Sequence, residues 1–548
     1  MNSTIPVRFL DRAAAHPDRV AMRIADDSEE PLTWGRWKEL SLEFAAAVRT
    51  RAPGTPAVAV LAGNTMVWPV SDLGTLISGK ASVGIYPTSS SVQIEKMLAD
   101  CAAGVLVVDD ETQLAAVLAM QARLPSLEVV VAACDSPDPR VILWNDWLAI
   151  GAHALEDDSQ LAESIESGAR AIRRTDPAII VYTSGSTGEP KGAVLSHGCI
   201  DASAKSIQEA LGLVESDTTL SFLPFSHAAE RITGMYTRIL TGMEAMLMTD
   251  ALKLWDVAAS YRPTFFGGLP RYYEKLFALT RRDSRSANEI LGGRVRLATS
   301  GGAALNVAVA EGLAGTGITV LGAYGLTEHL CVSFNRPADP TFDTSGPAMP
   351  GTEISIAPDG EVLVRRCELT FSGYHNMPEA TRATFTDDGV WLRTGDLGSL
   401  DSAGRLRITG RKKELLALSN GKMVAPLPIE ARLAAHPLIA QAVLHAEGRQ
   451  FVSALIALNA DAVAQWADAR GISGSPEELA VDPEVRAEIQ KAIDEVNATL
   501  SRAESIRRFV TIGQELSVAA SELTPTHKVR RNAVLEKYSA QLDALYSS

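Results

Sequence analysis

The sequence predicts an α/β chain: a large N-terminal domain of parallel α/β subdomains ending in a small β subdomain, then a small α+β C-terminal domain. Three observations carry this expectation. Short β-branched runs alternate with longer Ala/Leu-rich segments of helical period through the first part of the chain. Between 341 and 410 the texture changes to short strands separated by turn signals. After Gly410 the charged cluster Arg411-Lys412-Lys413-Glu414 opens a smaller mixed region, and 548 residues exceed what one hydrophobic core usually serves, so domains are expected over 1–410 and 411–548.

The elements follow in chain order. Ala57–Leu61 reads as a strand, 68–79 as a helix, Val105–Val108 as a strand, 111–123 as a helix and 127–131 as a strand. Strand, crossover and strand in that order imply a parallel sheet with right-handed crossovers, and ligands beyond the carboxyl ends of its strands. Two further apolar strands are expected at 178–182 and 295–298. Within 341–410, the triplets Pro358-Asp359-Gly360, Asp387-Asp388-Gly389 and Ser402-Ala403-Gly404 mark turns of an antiparallel arrangement. In the last region, helices over 430–436 and 484–501 flank a strand-like run at 451–458. There is no repeat of solenoid period.

Composition excludes several classes. A net charge of -15 argues against a nucleic-acid partner, whose phosphates demand clustered Lys and Arg. Five scattered cysteines without a CxxC pattern argue against a disulfide framework or structural zinc, and read as ordinary buried thiols. The first twenty residues carry charges throughout and lack a signal peptide's apolar core, so a cytoplasmic location is expected. No apolar run approaches the roughly 18 to 20 residues that span a bilayer. A lipid substrate would therefore be met by a soluble or peripheral protein.

The stretch Thr183-Ser184-Gly185-Ser186-Thr187-Gly188-Glu189-Pro190-Lys191-Gly192 follows the strand at 178–182. Hydroxyl residues interleaved with glycines can surround phosphoryl oxygens with backbone N–H groups, and Lys191 adds charge. It is not a Walker A loop, because Pro190 stands where the glycine before the lysine belongs. Taken alone, a Gly/Ser loop is more often a solvated linker, and His227 more often a core histidine.

The ten-residue string resembles the signature loop of the adenylate-forming superfamily, which contains acyl-CoA synthetases, firefly-type luciferases and the adenylation domains of peptide synthetases. Further motifs of that family stand downstream in order: Leu223-Pro224-Phe225-Ser226-His227-Ala228-Ala229-Glu230-Arg231, Thr299-Ser300-Gly301-Gly302-Ala303, Tyr324-Gly325-Leu326-Thr327-Glu328, Trp391-Leu392-Arg393-Thr394-Gly395-Asp396, Gly410-Arg411-Lys412-Lys413-Glu414 and Leu523-Thr524-Pro525-Thr526-His527-Lys528. Gly63-Asn64-Thr65 and Gly84-Ile85-Tyr86-Pro87-Thr88 also look like synthetase segments, so the resemblance covers nearly the whole chain. The His-x-x-Glu-Arg ending and the 262–275 segment are similar to long-chain fatty acyl-CoA synthetases.

The resemblance implies a role for each motif. Thr183, Ser184, Gly185, Ser186, Thr187, Gly188 and Lys191 would hold the phosphates of ATP. Gly301, Gly302 and Ala303 would line the nucleotide site, with Tyr324 stacking on adenine beside Gly325. Thr327 would contact the α-phosphate, Glu328 would hold magnesium, Asp396 would take the ribose hydroxyls and Arg411 would touch the nucleotide. His227, Arg231, Gly268 and Gly302 would line the acyl pocket. Lys528, carried on a mobile C-terminal domain, would reach the reacting carboxylate, with Lys413 as hinge and Gly421 lining a thiol channel. In many relatives the hinge residue is acidic.

The activity implied is a fatty-acid:CoA ligase working through an acyl-adenylate, with coenzyme A as cosubstrate. Alternatives of the same class are a fatty acyl-AMP ligase loading an acyl carrier protein and a ligase for aryl or other small acids. A peptide-synthetase adenylation protein is disfavoured, because Glu230 is the only acid in 227–236 and its neighbour Arg231 could neutralise it. A P-loop NTPase lacks its GK[ST] string here, and a non-enzymatic nucleotide-binding regulator would release no pyrophosphate.

Overall fold

A computed structural model describes residues 3–25, 30–184, 190–524 and 528–546, without the side chain of Ser184. Two eight-stranded sheets dominate the part before residue 341. In one, the strands run in the order Gly373–Tyr374, Pro190–Ser196, Pro177–Ser184, Ala81–Gly84, Ala57–Leu61, Val105–Val108, Val129–Ala132 and Val141–Leu143. From Pro177–Ser184 onward all neighbours pair in parallel. Every residue of Ala57–Leu61, Val105–Val108 and Val129–Ala132 is buried, as expected of strands covered by helices on both faces.

The second sheet centres on five parallel strands, Val320–Tyr324, Leu297–Ser300, Phe265–Gly268, Thr218–Ser221 and Glu244–Leu247, and Val20–Ile24 extends them. Short antiparallel strands close its two edges. The helix Trp34–Arg51, started by Thr33, whose side chain accepts from the Arg36 N–H, packs against the helices Val67–Ile77 and Trp144–Asp157. Trp34 and Trp37 on it are fully buried and stack at 5.4 Å, with Phe9 edge-on to Trp37 at 4.8 Å.

The β-rich region forms one antiparallel sheet of Ile354–Ile356, Glu361–Arg365, Trp391–Leu400 and Leu406–Arg411. Its expected turn glycines, Gly360, Gly389 and Gly404, all have positive φ. The last region is a three-stranded sheet, Ile439–His445, Val452–Leu458 and Ile506–Ile512, packed by helices that include Pro426–Leu433 and Pro483–Asn497. The hydrophobic clusters of the first part end at Leu406 and those of the last part begin at Leu416.

Some boundaries differ from the sequence reading. The helix expected at 430–436 spans Pro426–Leu433, because Pro426 at its first position is a helix starter there, not a breaker. The helix expected at 484–501 ends at Asn497, after starting on the Asp482 cap. The strand expected at 127–131 begins at Val129, since Leu127 N–H is used in a turn to the Leu124 carbonyl. That expected at 295–298 is shifted to Leu297–Ser300.

Candidate active site

The site is built where the carboxyl ends of both parallel sheets meet the β-rich region. The chain leaving Thr218–Ser221 is held by Asn64, whose amide donates to the carbonyls of Ser221 (3.1 Å) and Leu223 (2.8 Å). Gly84, at the end of its strand, lets the other sheet approach this segment: a Cβ there would lie 2.9 Å from Ser226 Cα. Both contacts fix the path into His227.

His227 Nδ1 accepts from the Ala229 N–H at 3.1 Å, and Tyr86 meets the ring edge-on at 6.4 Å. Burial first, then the positive charge of Lys528, push the His227 pKa down to about 4. At neutral pH the ring is therefore neutral and carries its proton on Nε2.

Past His227 the backbone winds into a π-helix, Glu230–Tyr236, a form concentrated at functional segments. Here the structure corrects the acyl-pocket assignment of Arg231. Its guanidinium is fully buried and ion-paired with the equally buried Asp72; it also donates to Ser82 Oγ (2.5 Å) and the Tyr236 hydroxyl (3.0 Å) and lies 5.0 Å over Trp68. Arg231 therefore braces the wall and faces no open space. Nor does it neutralise Glu230: successive side chains on a helical backbone diverge, and Glu230 instead accepts from Ser221 and senses Arg238.

The Glu230 carboxyl is pushed up to about 7, by burial before the opposing effects of Ser221 and Arg238. The folded chain holds this proton more tightly than the unfolded chain, so stability falls as pH rises from the ordinary carboxyl value of 4.5 through 7. At about 1.4 kcal/mol per unit, the loss is at most about 3 to 4 kcal/mol. Unfolding of the wild type and of Glu230→Gln across pH 4.5 to 8 should diverge by that amount; the histidine contributions cancel in the difference, and parallel curves would contradict the assignment.

On the nucleotide side, Tyr324 ends its strand and donates to Asp396 Oδ2 at 2.6 Å. Arg411 reaches the other oxygen of Asp396 at 3.0 Å, the two residues being direct partners across Trp391–Leu400 and Leu406–Arg411. Asp396 is only 5% exposed, so this carboxylate is aimed by a tyrosine and an arginine. Gly325 closes the turn after Tyr324; a Cβ there would stand 1.6 Å from the Leu330 carbonyl oxygen, which no side chain tolerates. Thr327 and Glu328 follow on the 3-10 turn Thr327–His329.

Glu328 accepts from the Tyr374 hydroxyl, and the Lys191 ammonium lies 5.3 Å over the Tyr374 ring. Tyr374 thus links the predicted Lys191 and Glu328, a link that no local pattern signals, since its strand Gly373–Tyr374 pairs with one nearly two hundred residues earlier. Thr183 pairs with Lys191 across the same sheet, while Gly185, Ser186, Thr187 and Gly188 lie outside the described residues, as does the Ser184 side chain.

Gly268 and Gly302 stand at the carboxyl ends of adjacent strands, joined by the Gly301 N–H to Gly268 carbonyl bond of 3.4 Å. A Cβ on Gly302 would lie 3.2 Å from Leu269, one on Gly301 would touch Ala323 at 3.6 Å, and one on Gly268, which is buried, would touch Phe222, Tyr272 and Tyr273. Ala303 follows, exposed, in the same loop.

Lys528 arrives from the far end of the chain. Its pKa is lowered by burial first and by Arg411, against Asp396 and Glu414, which raise it; the same ammonium lowers His227. Lys528 therefore stands within the electrostatic reach of Asp396, Arg411 and His227. Lys413 sits on the turn Lys412–Glu414, whose Lys412 is tied to Asp359 (2.5 Å) and Glu361 (2.9 Å) of the β-rich sheet. Gly421, with φ +80°, lies exposed in a tight turn in which its N–H donates to the Leu418 carbonyl at 2.8 Å and the Ser419 N–H to the Arg449 carbonyl at 2.8 Å.

No helix among the described residues is long and apolar enough to cross a membrane. Comparison with known proteins shows what the chain is similar to. A family model described as AMP-binding enzyme matches residues 9–379, and one described as AMP-binding enzyme C-terminal domain matches 413–548. The chain is 31% identical to the long-chain-fatty-acid–CoA ligase FadD15 of Mycobacterium bovis and 30% identical to that of Mycobacterium tuberculosis, each over 99% of both chains. It is 29% identical to the long-chain-fatty-acid–CoA ligase ACSBG1 of Rattus norvegicus over 89% of this chain and 78% of that one. Among solved structures, the anthranilate CoA ligase AuaEII with anthranoyl-AMP superposes with a TM-score of 0.80 at 21% identity, covering 99% of this chain and 98% of that one. ATP-bound MatB from Rhodopseudomonas palustris gives 0.76 at 22%, covering 98% and 99%. At these identities the structures establish the shared fold.

Proposed function

The chain belongs to the AMP-binding enzyme family, and on that footing we propose that it is an AMP-forming ligase that activates a fatty acid with ATP and passes the acyl group to coenzyme A. One observation supports the reading: Tyr324 and Arg411 converge on Asp396, and the charge of the C-terminal Lys528 acts on the neutral His227 while Arg411 and Asp396 act on Lys528. The names of its relatives, long-chain-fatty-acid–CoA ligases over nearly the full chain, supply the substrate class.

In the first step a carboxylate oxygen attacks the α-phosphorus of ATP and pyrophosphate leaves. Two anions must approach, so positive charge is needed where they meet. Lys528 supplies it on a flexible stem, as a compact charge able to follow the two anions together. Asp396 accepts from the ribose hydroxyls, aimed by Tyr324 and Arg411. His227, neutral with Nε2–H outward, donates toward the carboxylate without adding charge. Thr183, Lys191 and Thr327 would face the phosphates, and Gly268, Gly301, Gly302 and Ala303 would line the acyl chain and base.

Magnesium fits this site through Glu328. The carboxylate is engaged by a tyrosine hydroxyl rather than by a cation, and Mg2+ is characteristically held by one or two carboxylates plus substrate phosphates. Among the described residues no cluster of three or more His, Cys, Asp or Glu offers a rival site. When bound, the ion would neutralise charge on the phosphates.

In the second step the thiol attacks the acyl carbonyl carbon and AMP leaves with the bridging oxygen. Lys528 occupies the side from which the thiol must come, so the part of the C-terminal domain beyond Lys413 turns about that residue between steps, while Lys412 stays tied to Asp359 and Glu361. Gly421 then lines the thiol path. Gly421→Leu should slow thioester formation from supplied acyl-AMP by at least about 100-fold, leaving acid-dependent pyrophosphate release near wild type. An unchanged thiolation rate would remove Gly421 from the path.

Pyrophosphate release measured with fatty, aromatic and amino acids, with and without coenzyme A, tests the function. Release with fatty acids and consumption of coenzyme A are expected. Release confined to aromatic or amino acids would overturn the substrate class, and acyl-AMP that accumulates beside unconsumed coenzyme A would make a carrier protein the acceptor. The working compartment proposed is the cytoplasm, with peripheral contact to a membrane as a source of the acid.

A further inference from the structure

Lys528 lies in a loop with two pinned feet. Leu523 and Val529 form a β-bridge, the Thr524 N–H donates to the Lys528 carbonyl at 2.8 Å, and the Lys528 N–H donates to Thr524 Oγ1 at 3.0 Å. The upstream foot is Glu522, 3% exposed, which accepts from the Ser517 N–H (3.0 Å), Lys537 (2.7 Å) and the Tyr538 hydroxyl (3.0 Å). The downstream foot is Arg531, the first residue of the helix Arg531–Lys537.

Arg531 makes a two-pronged pair with Glu430: Nη1 donates to Oε1 at 2.6 Å and Nη2 to Oε2 at 2.7 Å. Nη1 also donates to the Leu444 carbonyl at 3.0 Å, and Glu430 Oε1 accepts the Leu444 N–H at 2.6 Å. The two side chains are 12% and 11% exposed, and 101 residues separate them in sequence. Glu430 belongs to Pro426–Leu433, the first helix after the turn that carries Lys413. A planar fork gripped on both prongs fixes direction as well as distance. Arg531 stands three residues beyond Lys528, so the grip sets where the Lys528 loop starts its reach.

We infer that Glu430 and Arg531 are positioning residues for adenylation: their buried fork ties the Lys528 loop to the helix that follows the hinge turn, so that Lys528 arrives in register with the reacting carboxylate and phosphate. The inference rests on the reading of Lys528 as the adenylation lysine. Thiolation, which needs Lys528 withdrawn, does not depend on the fork.

The test compares four full-length proteins: wild type, Lys528→Ala, Glu430→Gln and the double variant Glu430→Met/Arg531→Met. Glu430→Gln keeps an acceptor for the Leu444 N–H and removes the charge; the double variant replaces the ion pair by apolar side chains, an exchange that buried pairs often tolerate in stability. Each protein is measured for acid-dependent pyrophosphate release, for thioester formation from supplied acyl-AMP, and for melting temperature. Expected for both fork variants is a fall in pyrophosphate release of about 100-fold, as misplacement by an ångström produces, with thioester formation within about three-fold of wild type. Wild-type pyrophosphate release in both fork variants, or equal loss of the two half-reactions, would overturn the inference. If Lys528→Ala itself releases pyrophosphate normally, the reading of Lys528 fails first and separately.

Discussion

Lys528→Ala is expected to reduce acid-dependent pyrophosphate release by about a thousand-fold or more, the scale of losing a charge stabiliser worth about 4 kcal/mol in a transition state. The reason is geometric and electrostatic together. Removal of the ammonium leaves Arg411 bound to Asp396 and His227 neutral, so neither of these replaces its charge at the carboxylate. Thioester formation from supplied acyl-AMP should survive, because that step follows withdrawal of Lys528. Equal loss of both half-reactions would assign Lys528 to folding or to general binding instead. A second readout is the His227 ring: with the neighbouring charge gone, its pKa should rise from about 4, visible in its NMR titration.

Arg231→Met is expected to destabilise the chain by about 3 to 5 kcal/mol, because it leaves the Asp72 carboxylate buried and uncompensated. Asp72 lies on the helix Val67–Ile77, Ser82 on Ala81–Gly84, and Arg231 on the segment leaving the second sheet, so the cluster joins the two sheets at the base of the pocket. Denaturant unfolding should show the loss as a lower midpoint. Replacing both partners, Arg231→Met with Asp72→Leu, should recover a substantial part of it, since no charge is then stranded. An unchanged midpoint for Arg231→Met would contradict the bracing role and reopen Arg231 as a ligand-facing residue.

Much of the fold was legible because local pattern and global environment agree. Ala57–Leu61 and Val105–Val108 are continuous apolar runs, and the structure buries every residue of both between helices. The turn glycines of the β-rich region were legible for a local reason, the positive φ that Gly360, Gly389 and Gly404 adopt. What escaped is non-local. Val20–Ile24 pairs with Glu244–Leu247, and Gly373–Tyr374 with Pro190–Ser196, pairings that no periodicity announces. The motif residues Tyr324, Asp396 and Arg411 do converge, as the resemblance implied. Their aiming contacts, and the insertion of Tyr374 between Lys191 and Glu328, belong to the folded chain alone. The pairing of Arg231 with Glu230 that adjacency suggests fails for the same reason: the carboxylate that holds Arg231, Asp72, is 159 residues away.

The most direct measurement is isotopic. A fatty acid labelled with 18O in both carboxyl oxygens is turned over with ATP and coenzyme A, and the products are weighed by mass spectrometry. Attack of a carboxylate oxygen on the α-phosphorus, followed by thiol attack on the carbonyl carbon, leaves one labelled oxygen in AMP and none in pyrophosphate. Label appearing in pyrophosphate or inorganic phosphate, or ADP forming in place of AMP, would contradict the acyl-adenylate route.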